Sequence, residues 1–535
     1  MAIEAVYIFR LPLVMDEFAG AAAVHRLTRE LPYRDFAPYK TVLGYYIQLP
    51  ALIAAQASGM GLWGGLMLVK LWMASLTAAT LGWASLRLRH RFAPGAVLLC
   101  LALLVSMSTF LERSAALRVD MLTSLAGLVS LVLLIECRSF TAGILAGVSF
   151  LISQKGSLYV AAGVVGLAAG TAMSTDDRRA RALRLCSFTG GLASSLAVYY
   201  GLWVSLSSGF GPLTGTLEPA ISVLGADYSI KLRFWSQTIL RNPLFYGLAA
   251  LALARLLSRI PAATFTQRME LAAYAGTIVG LCIWYAQPWP YFFVLMLPTL
   301  WVVLITLFDE LLERDGSGQL ALLDYLTLAF VVMLGVAYPL ASRVPVNLGR
   351  DSSYQRSVLE LADQLVGPNE SYLAGVDLLY DRRQSPARFA WLDRPRRSDL
   401  AHLQGPDLEE VRQELAEAPL KVLIDNYRLR ELPSVLRDEL DRKFRHIFGH
   451  VAIYSPCVSA GETEVDVAFS GAYTLAAAAS CLIDGRTVES GERIPLEAGS
   501  HFLHCPLEAR LDLDPGVDIP TQAAELELFP NPYSY

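Results

Sequence analysis

Two different patterns of hydrophobic positions divide the chain. Up to about residue 342, long apolar runs alternate with short charged connections, whereas later residues alternate as in soluble protein. A helix needs about twenty apolar residues to cross a bilayer. The pattern therefore predicts about eleven membrane-spanning helices, over residues 1–15, 61–86, 94–111, 119–137, 140–154, 156–173, 185–208, 242–258, 269–286, 290–308 and 320–342.

Two apolar segments leave alternatives open. Residues 1–15 are short for a span, so either this helix is tilted and supported by its neighbours or the sequence begins within it. Residues 42–58 are interrupted by Gln48, Pro50 and Gln56. They predict a helix at the membrane interface, with a true span as the alternative that would reverse the topology of everything after it.

Basic connections predict the orientation. Lys and Arg are enriched in short cytoplasmic loops, and the connections 87–92, 175–184 and 255–268 are basic. Residues 309–316 fall on the same side but are net acidic, which runs against the assignment. The prediction leaves the following connections outside: 16–60, 112–118, 209–241 and 286–290. With about eleven spans the C-terminal part is also outside.

The C-terminal part changes pattern once more. Residues 355–456 alternate short apolar strands with amphipathic helices, which predicts an α/β layer. From about residue 458 short alternating strands predict a small β-sandwich, with Asp484-Gly485 as a hairpin turn. The predicted domains are a transmembrane domain over 1–342, an extracytoplasmic α/β domain over 343–457 and an extracytoplasmic β-sandwich over 458–535.

Composition agrees with a membrane protein and excludes some functions. The chain has 54% hydrophobic and 17% charged residues, and its mean hydropathy is +0.42. The net charge of −5 and the absence of a basic tract give no indication of nucleic-acid binding. No Cys or His cluster suggests a metal site. Of the cysteines in the C-terminal part, Cys481 and Cys505 are the pair most suited to a disulfide, which leaves Cys457 over.

Charged residues in the membrane part collect on one predicted side. Charges near a bilayer are costly and usually mark function. The residues at the outer helix ends or in outer loops are Asp16, Glu17, Lys40, Arg118, Asp120 and Lys155. The alternative for each residue by itself is an ordinary charged helix end, but both signs on one face favour a site.

The residue types suit group transfer. Adjacent acids such as Asp16-Glu17 suit a general base, because a partly desolvated carboxylate holds a proton more readily. The alternative for these acids, and for Asp120, is a helix-start residue that binds free amides. As point charges, Lys40 and Lys155 suit the binding of a phosphate group. The alternative is that these long side chains only extend from the helix ends to water.

The order of these motifs resembles families 39 and 83 of the GT-C superfamily, which include the protein O-mannosyltransferases and the lipid A aminoarabinose transferases. The resemblance covers most of residues 1–340. The matching stretches are Asp16-Glu17, Tyr39–Tyr46, Arg118-Val119-Asp120, Lys155-Gly156, and Pro290–Phe293 with Leu297-Pro298. The chain departs from the family pattern where Thr41 replaces a proline, where Ala19-Gly20 replace a region with an Arg, and where Gln287 replaces a basic residue.

The resemblance implies a GT-C fold and a glycosyltransferase that moves a sugar, with inversion, from a polyprenyl-phosphate carrier to an extracytoplasmic lipid, glycan or protein. It implies that Asp16 is the general base, with Glu17 as the second candidate for that role. It also implies that no catalytic metal or other cofactor takes part. It further implies that Asp120 orients the acceptor or holds a basic partner. The lipid phosphate would be bound by three cations, Lys40, Arg118 and Lys155. The cavity would be lined by tyrosines, namely Tyr39, Tyr45, Tyr46 and Tyr291. Anchoring of aromatic side chains at the membrane–water interface explains these tyrosines equally well.

The composition, rich in Ala, Leu and Arg, together with the resemblance, predicts a multi-pass protein of a bacterial inner membrane with a periplasmic C-terminal part. Two other functions compete with glycosyl transfer. A flippase for a lipid-linked glycan predicts charges at the bilayer midplane and inverted repeats, neither of which is evident in the sequence. A non-catalytic receptor or assembly protein predicts that Asp16 and Asp120 are dispensable.

Overall fold

The computed structural model describes residues 7–36, 38, 40–174, 178–207, 209, 211, 228–258, 265–285, 289–313, 322–520 and 527–529. The chain forms two compact units. The helical unit consists of Met1–Leu11, Arg26–Ala57 and Leu66–Arg350, and the sheet unit of Pro12–His25, Ser58–Gly65 and Asp351–Tyr535. Residues 12–25, which include the acidic pair, are therefore part of the same unit as the C-terminal sheets.

Helices make up almost all of the regular structure up to residue 348. They are α1 (Met15–Arg26), α2 (Leu43–Ala57), α3 (Leu62–Leu88), α4 (Pro94–Ser106), α5 (Ser108–Arg113), α6 (Val119–Ile135), α7 (Ser139–Ile152), α8 (Ser157–Met173), α9 (Arg178–Ser207), α10 (Tyr228–Arg241), α11 (Pro243–Ser258), α12 (Phe265–Trp284), α13 (Leu297–Glu313), α14 (Leu322–Val332) and α15 (Tyr338–Leu348). Short 3₁₀ helices cover Gln154–Gly156 and Pro290–Leu295, and a π-helix joins α14 to α15 over Met333–Ala337.

Three helical stretches among the described residues are long and apolar enough to cross a membrane, judged by length and composition. They are Leu62–Leu88, Gln154–Met173 and Tyr325–Asn347. Other predicted spans are shorter apolar helices, such as Val119–Ile135 and Pro243–Ser258. The helical and membrane character predicted from the sequence is present, and the count of about eleven spans stays a prediction.

One predicted span is interrupted. The sequence predicts a single helix over 94–111, but Met107 has an extended backbone (φ −63°, ψ 133°) that separates α4 from α5. The Ser108 amide donates to Asn242 Oδ1 at 3.2 Å, and Asn242 Nδ2 donates to Ser108 Oγ at 3.0 Å. The prediction of one continuous helix was wrong because this pairing with a distant residue supports a break that local hydropathy does not show.

Small residues allow two helices of the membrane part to approach closely. A Cβ on Gly143 would lie 1.9 Å from the Phe188 carbonyl oxygen, and one on Gly147 would lie 1.9 Å from Ser195 Oγ. These glycines are four residues apart on α7 and meet α9, which is the small-xxx-small arrangement that favours helix packing in lipid. The contact fixes α7, whose end leads to the Lys155-Gly156 step.

The acidic connection after α13 is matched by basic neighbours. Glu310 forms ion pairs of 2.9 Å with both Arg255 and Arg268. Asp309 Oδ1 accepts a 2.6 Å hydrogen bond from the Ala93 amide. These contacts place the described part of the acidic segment with two of the basic connections predicted to be cytoplasmic. The acidic charge is therefore compatible with that side.

The described residues of the C-terminal region form three β-sheets, and strands are what the alternating pattern predicts there. Its helices are α16 (Ser353–Leu365), α17 (Arg394–Ala401), α18 (Pro406–Glu417), α19 (Tyr427–Arg430) and α20 (Ser434–Lys443). Its strands are β1 (Ser371–Leu373), β2 (Arg383–Gln384), β3 (Leu420–Ile424), β4 (Phe444–Phe448), β5 (Val451–Tyr454), β6 (Cys457–Val458), β7 (Gly461–Val467), β8 (Gly471–Ala477), β9 (Cys481–Ile483), β10 (Arg486–Val488), β11 (Arg493–Leu496), β12 (Gly499–Cys505) and β13 (Ala509–Leu513).

The first sheet is mixed and the other two are antiparallel. The mixed sheet has the order β2-β1-β3-β5-β4, with β1 parallel to both of its neighbours. The antiparallel sheets have the orders β10-β9-β12-β7 and β11-β8-β13-β6. Strands of both show alternating burial, for example β12 in the first and β11 in the second, which is the pattern of a sheet with one face in a core.

Two local predictions in this region are confirmed. Asp484 and Gly485 have φ of 45° and 81° and join β9 to β10, with Ile483 opposite Arg486. A two-residue hairpin turn with both φ positive favours an Asp-Gly sequence. Cys481 and Cys505 form a disulfide between the neighbouring strands β9 and β12, and Cys457 is free.

A histidine of the sheet unit makes stability depend on pH. Burial, with a smaller effect of nearby Arg430, lowers the pKa of His450 from 6.5 to about 4, and Tyr354 Oη lies 2.5 Å from its Nδ1. The unfolded chain binds a proton below pH 6.5 that the folded chain excludes until about pH 4. Stability is therefore fully present above pH 6.5 and falls between pH 6.5 and 4.

Thermal unfolding of the full chain measures this effect. The unfolding midpoint is expected to fall across that pH window, and His450→Gln is expected to flatten the slope. The matched control is His402→Gln, which replaces an exposed histidine. An unchanged slope in His450→Gln would contradict the assignment.

Candidate functional site

A buried carboxylate with two cationic partners begins helix α6. Asp120 lies in the first turn and is 1% exposed. Its Oδ2 accepts from Arg118 Nε at 3.0 Å, and its Oδ1 accepts from Lys155 Nζ at 2.6 Å. Buried ion pairs require close geometry to offset the cost of desolvation. The structure thus brings Lys155 to a carboxylate that lies 35 positions earlier in the sequence.

Steric crowding explains the glycine that follows Lys155. Gly156 ends a 3₁₀ turn that follows α7, and a Cβ at this position would lie 2.2 Å from the Ser149 carbonyl carbon and 2.3 Å from the Phe150 nitrogen. Only glycine permits so close an approach of two backbone segments. The tight turn carries Lys155 back toward Asp120, so Gly156 positions the cation.

Lys40 adds a third positive charge near Asp120. It is half-buried and interacts electrostatically with the Asp120 carboxylate. The chain after it is held against α6 and α7, because Gly44 leaves no room for a Cβ, which would lie 2.6 Å from Val119 Cγ1. Arg118 and Lys155 therefore contact the Asp120 carboxylate directly, and Lys40 acts on it electrostatically.

Hydrogen bonds hold the segment after Lys40, where the prolines of the family pattern are absent. The Val42 amide donates to Tyr199 Oη at 3.0 Å, a bond that proline is unable to make. Thr41 is fully buried, and its hydroxyl donates to the Phe150 carbonyl at 3.3 Å. In this chain side-chain and amide hydrogen bonds fix a segment that prolines stiffen in the families it resembles.

An aromatic side chain lies beside Lys155. Lys155 Nζ is 5.6 Å from the centre of the Phe292 ring, and Phe292 stacks on Tyr285 with ring centres 4.1 Å apart. A cation near an aromatic face is attracted by the ring quadrupole. Phe292 belongs to the 3₁₀ helix Pro290–Leu295, so the structure brings this motif to the Asp120 site.

The predicted cavity-lining tyrosines have different positions. Tyr45 and Tyr46 pack with a cluster that includes Tyr199 and Trp203, and Tyr46 stacks on Trp203 with ring centres 5.9 Å apart. Tyr39, the Tyr291 side chain and Gln287 lie outside the described residues. The lining role of the tyrosines stays a prediction.

The acidic pair begins α1 in the sheet unit. Both acids are in the first helical turn, where Asp16 is half-buried and Glu17 is 3% exposed. Glu17 Oε2 accepts from the Val14 amide at 2.9 Å. Glu17 thus stabilises the start of the helix, as the alternative interpretation of these acids expects.

A residue that the sequence analysis missed fixes this segment. Gln355 on α16 accepts from the Leu13 amide at 2.8 Å and donates to the Leu13 carbonyl at 3.0 Å. It also donates to the Leu528 carbonyl at 3.0 Å, and its side chain is buried. The backbone before Asp16 is therefore held from within the sheet unit. A lone glutamine in an amphipathic helix carries no sequence signal for such a contact.

Metal binding has no candidate cluster in the described ranges. No group of three or more His, Cys, Asp or Glu side chains there is arranged to hold a metal ion. The candidate chemistry of the described residues is cationic and acid–base.

No protein-family model matches the chain, and no curated protein matches its sequence. Its structure is similar to that of the Archaeoglobus fulgidus oligosaccharyltransferase in the apo form, with a TM-score of 0.49, 11% identity, and coverage of 91% of this chain and 73% of that chain. The complex of that enzyme with Zn and sulfate gives a TM-score of 0.48, 12% identity, and coverage of 91% and 72%.

Proposed function

We propose that this chain is a membrane glycosyltransferase that moves a sugar from a polyprenyl-phosphate carrier to an extracytoplasmic acceptor, with inversion at the anomeric carbon. The observation that carries the proposal is the convergence of Arg118, Lys155 and Lys40 on the buried Asp120. The motif resemblance supports it as well, because four of the five matching stretches supply residues to this one place.

The cations suit the leaving group. Departure of a lipid phosphate builds negative charge, which preorganised cations stabilise more strongly in a water-poor site than in water. The Lys155 side chain is 15% exposed, whereas that of Arg118 is 6% exposed. Lys155 is therefore the more accessible cation for the phosphate, and Arg118 shares with it the task of neutralising Asp120.

Asp120 is a positioning residue in this proposal. Each of its carboxylate oxygens binds a different cation. It thus holds the Lys155 ammonium group in place while the net charge of the cluster stays positive. A site with this charge attracts a phosphate dianion.

Proton removal is assigned to Asp16. An acceptor hydroxyl needs a base when it attacks the anomeric carbon. The motif resemblance implies this role for the acidic pair, and we assign it to Asp16, the half-buried member of the pair. The proposed location is a bacterial inner membrane, with the C-terminal sheets on the periplasmic side.

A lysine comparison tests the proposal. Membranes that contain the full chain are supplied with a radiolabelled polyprenyl-phosphate sugar, and transfer of label to envelope lipid, glycan and protein is followed. Lys155→Gln is expected to reduce kcat/KM for the donor by about 100-fold, comparable to the loss of one electrostatic group in other active sites. The control is Lys421→Gln, which breaks only a partly exposed pair with Glu370 and is expected to match wild type. Equal activity of the two variants would contradict the proposal.

A further inference from the structure

The mixed sheet of the sheet unit has two neighbouring parallel strands whose carboxyl ends lie at one edge. β1 ends at Leu373 and is parallel to β3, which ends at Ile424. β2 and β3 lie on opposite sides of β1, so the order of the strands reverses there. In open α/β sheets, ligands bind outside the carboxyl ends of the strands at such a reversal. The topology therefore favours a ligand site in the segments that follow β1 and β3.

A buried arginine connects these two segments. Arg428 follows β3 in α19 and is 7% exposed. The centre of its guanidinium group lies 4.5 Å from the centre of the Trp391 ring. Its Nη1 donates to the carbonyl oxygen of Gly375, just after β1, at 3.3 Å. The guanidinium is thus held at the carboxyl edge of the sheet by a ring and a backbone carbonyl.

The backbone at Gly375 is fixed by crowding. Gly375 has a φ of 63°, and a Cβ at this position would lie 2.9 Å from Leu392 Cδ1. Glycine adopts positive φ without a steric penalty. The Gly375 carbonyl also accepts from the Leu392 amide at 3.0 Å. The residue after Trp391 is therefore tied to the end of β1, and this contact positions the indole beside the guanidinium.

The charge of Arg428 lacks an anionic partner in the described part of the chain. Its Nε is buried and has no hydrogen-bond partner there. The two carboxylates nearest in sequence pair with other arginines, namely Asp425 with Arg437 at 2.7 Å and Glu431 with Arg397 at 2.5 Å. A buried charge without a partner is costly. A carboxylate or phosphate group bound by the planar guanidinium offsets that cost.

An exposed aromatic ring lies next to this cation in the sequence. Tyr427 precedes Arg428 and is 45% exposed. The centre of the Arg397 guanidinium lies 5.4 Å from the centre of the Tyr427 ring. The face of an aromatic ring is negative and attracts the weakly positive C–H groups of a sugar ring. An arginine and an exposed ring together suit a ligand that carries both a negative charge and a sugar.

We propose that Arg428 and Tyr427 form a binding site for a negatively charged saccharide. The guanidinium binds a carboxylate or phosphate group of the saccharide, Trp391 holds the guanidinium in place, and the Tyr427 ring packs against the sugar. These residues are separate from those assigned to the donor phosphate. Binding at this site does not depend on the proposed sugar transfer.

The position of the site indicates what the saccharide is for. Tyr427 Oη donates to Met15 Sδ at 3.4 Å, and Asp16 follows Met15 in the first turn of α1. All of these residues belong to the sheet unit. We infer that the saccharide is the acceptor of the transferred sugar, held near the carboxylate that takes its proton. This second statement rests on the proposed function.

Thermal unfolding of the purified full chain in detergent measures binding without a donor. The charged probes are trigalacturonate and glucose 6-phosphate. Their neutral counterparts are the fully methyl-esterified trisaccharide and glucose, all at matched ionic strength. A ligand that binds the folded chain raises the unfolding midpoint with its occupancy. We expect a saturable rise with at least one charged probe, and an apparent affinity at least tenfold weaker for its neutral counterpart.

Variants assign the rise to this site. Arg428→Gln is expected to weaken the apparent affinity for the charged probe at least tenfold, and Tyr427→Ala is expected to weaken it severalfold. The control is Arg486→Gln, which removes an exposed arginine paired with Glu492 and is expected to respond like wild type. If Arg428→Gln does not fold, Arg428→Lys keeps the charge without the planar fork and is expected to bind severalfold more weakly than wild type.

The response to the two charged probes distinguishes a carboxylate from a phosphate, and either response supports the site if the Arg428 variant weakens it. No rise with either charged probe would overturn the site, as would equal affinity for the neutral counterpart or equal affinity of the folded Arg428 variant and wild type. These results hold whether or not the chain transfers sugar, so failure of this site and failure of the proposed function are separate outcomes.

Discussion

Asp120→Asn is expected to abolish sugar transfer and to destabilise the helical unit by about 3–5 kcal/mol, the cost of removing one partner from a buried ion pair. The substitution leaves Arg118 and Lys155 close together with no carboxylate between them. Both cations are largely buried, so water compensates little. Thermal unfolding of the purified chain and donor-dependent transfer are the two measurements.

A double variant separates stability from activity. Asp120→Asn with Lys155→Gln removes one negative and one positive charge together, so it is expected to recover most of the lost stability. It is expected to stay inactive, because the cation proposed to bind the phosphate is missing. Recovery of transfer in the double variant would show that the cluster serves only the fold.

Asp16→Asn is expected to lower kcat by about 10²–10⁴-fold, the usual contribution of a general base, while affinity for the donor stays within a few-fold. The amide has nearly the shape of the carboxylate but does not accept a proton. Asp16 is half-buried in the first turn of α1. Single-turnover transfer at saturating donor measures the chemical step, and donor titration measures binding.

The neighbouring acids provide controls for Asp16. Glu17→Ala removes the hydrogen bond to the Val14 amide, so it is expected to reduce stability by about 1 kcal/mol and to slow transfer less than Asp16→Asn. Glu30→Gln breaks an exposed pair with Arg26 and is expected to match wild type. Equal slowing by all three changes would argue against a specific base.

Local signals were sufficient for part of the fold. The Asp484-Gly485 turn follows from two residues that tolerate positive φ between alternating strands. The disulfide was predicted because Cys481 and Cys505 both fall in the region of short alternating strands, and the strands that carry them, β9 and β12, pair directly. In both cases the decisive residues lie within 24 positions of each other in one region of the sequence.

Contacts between distant residues were not predictable in the same way. The break at Met107 depends on Asn242, and the place of the acidic pair depends on Gln355. Neither partner carries a local signal. Arg118, Asp120 and Lys155 were singled out because they matched an ordered set of motifs, while hydropathy alone placed them only on one side.

As a glycosyltransferase of the proposed kind, the chain must break the bond between a sugar and its phosphate carrier. Purified chain in sealed liposomes, supplied with a polyprenyl phosphate bearing a radiolabelled sugar and with an extract of envelope acceptors, tests it most directly. The account predicts that label leaves the lipid for an acceptor in wild type, and that Asp16→Asn and Lys155→Gln abolish or strongly reduce this transfer. Label that stays on the intact lipid and only moves to the opposite leaflet would contradict it and identify a flippase.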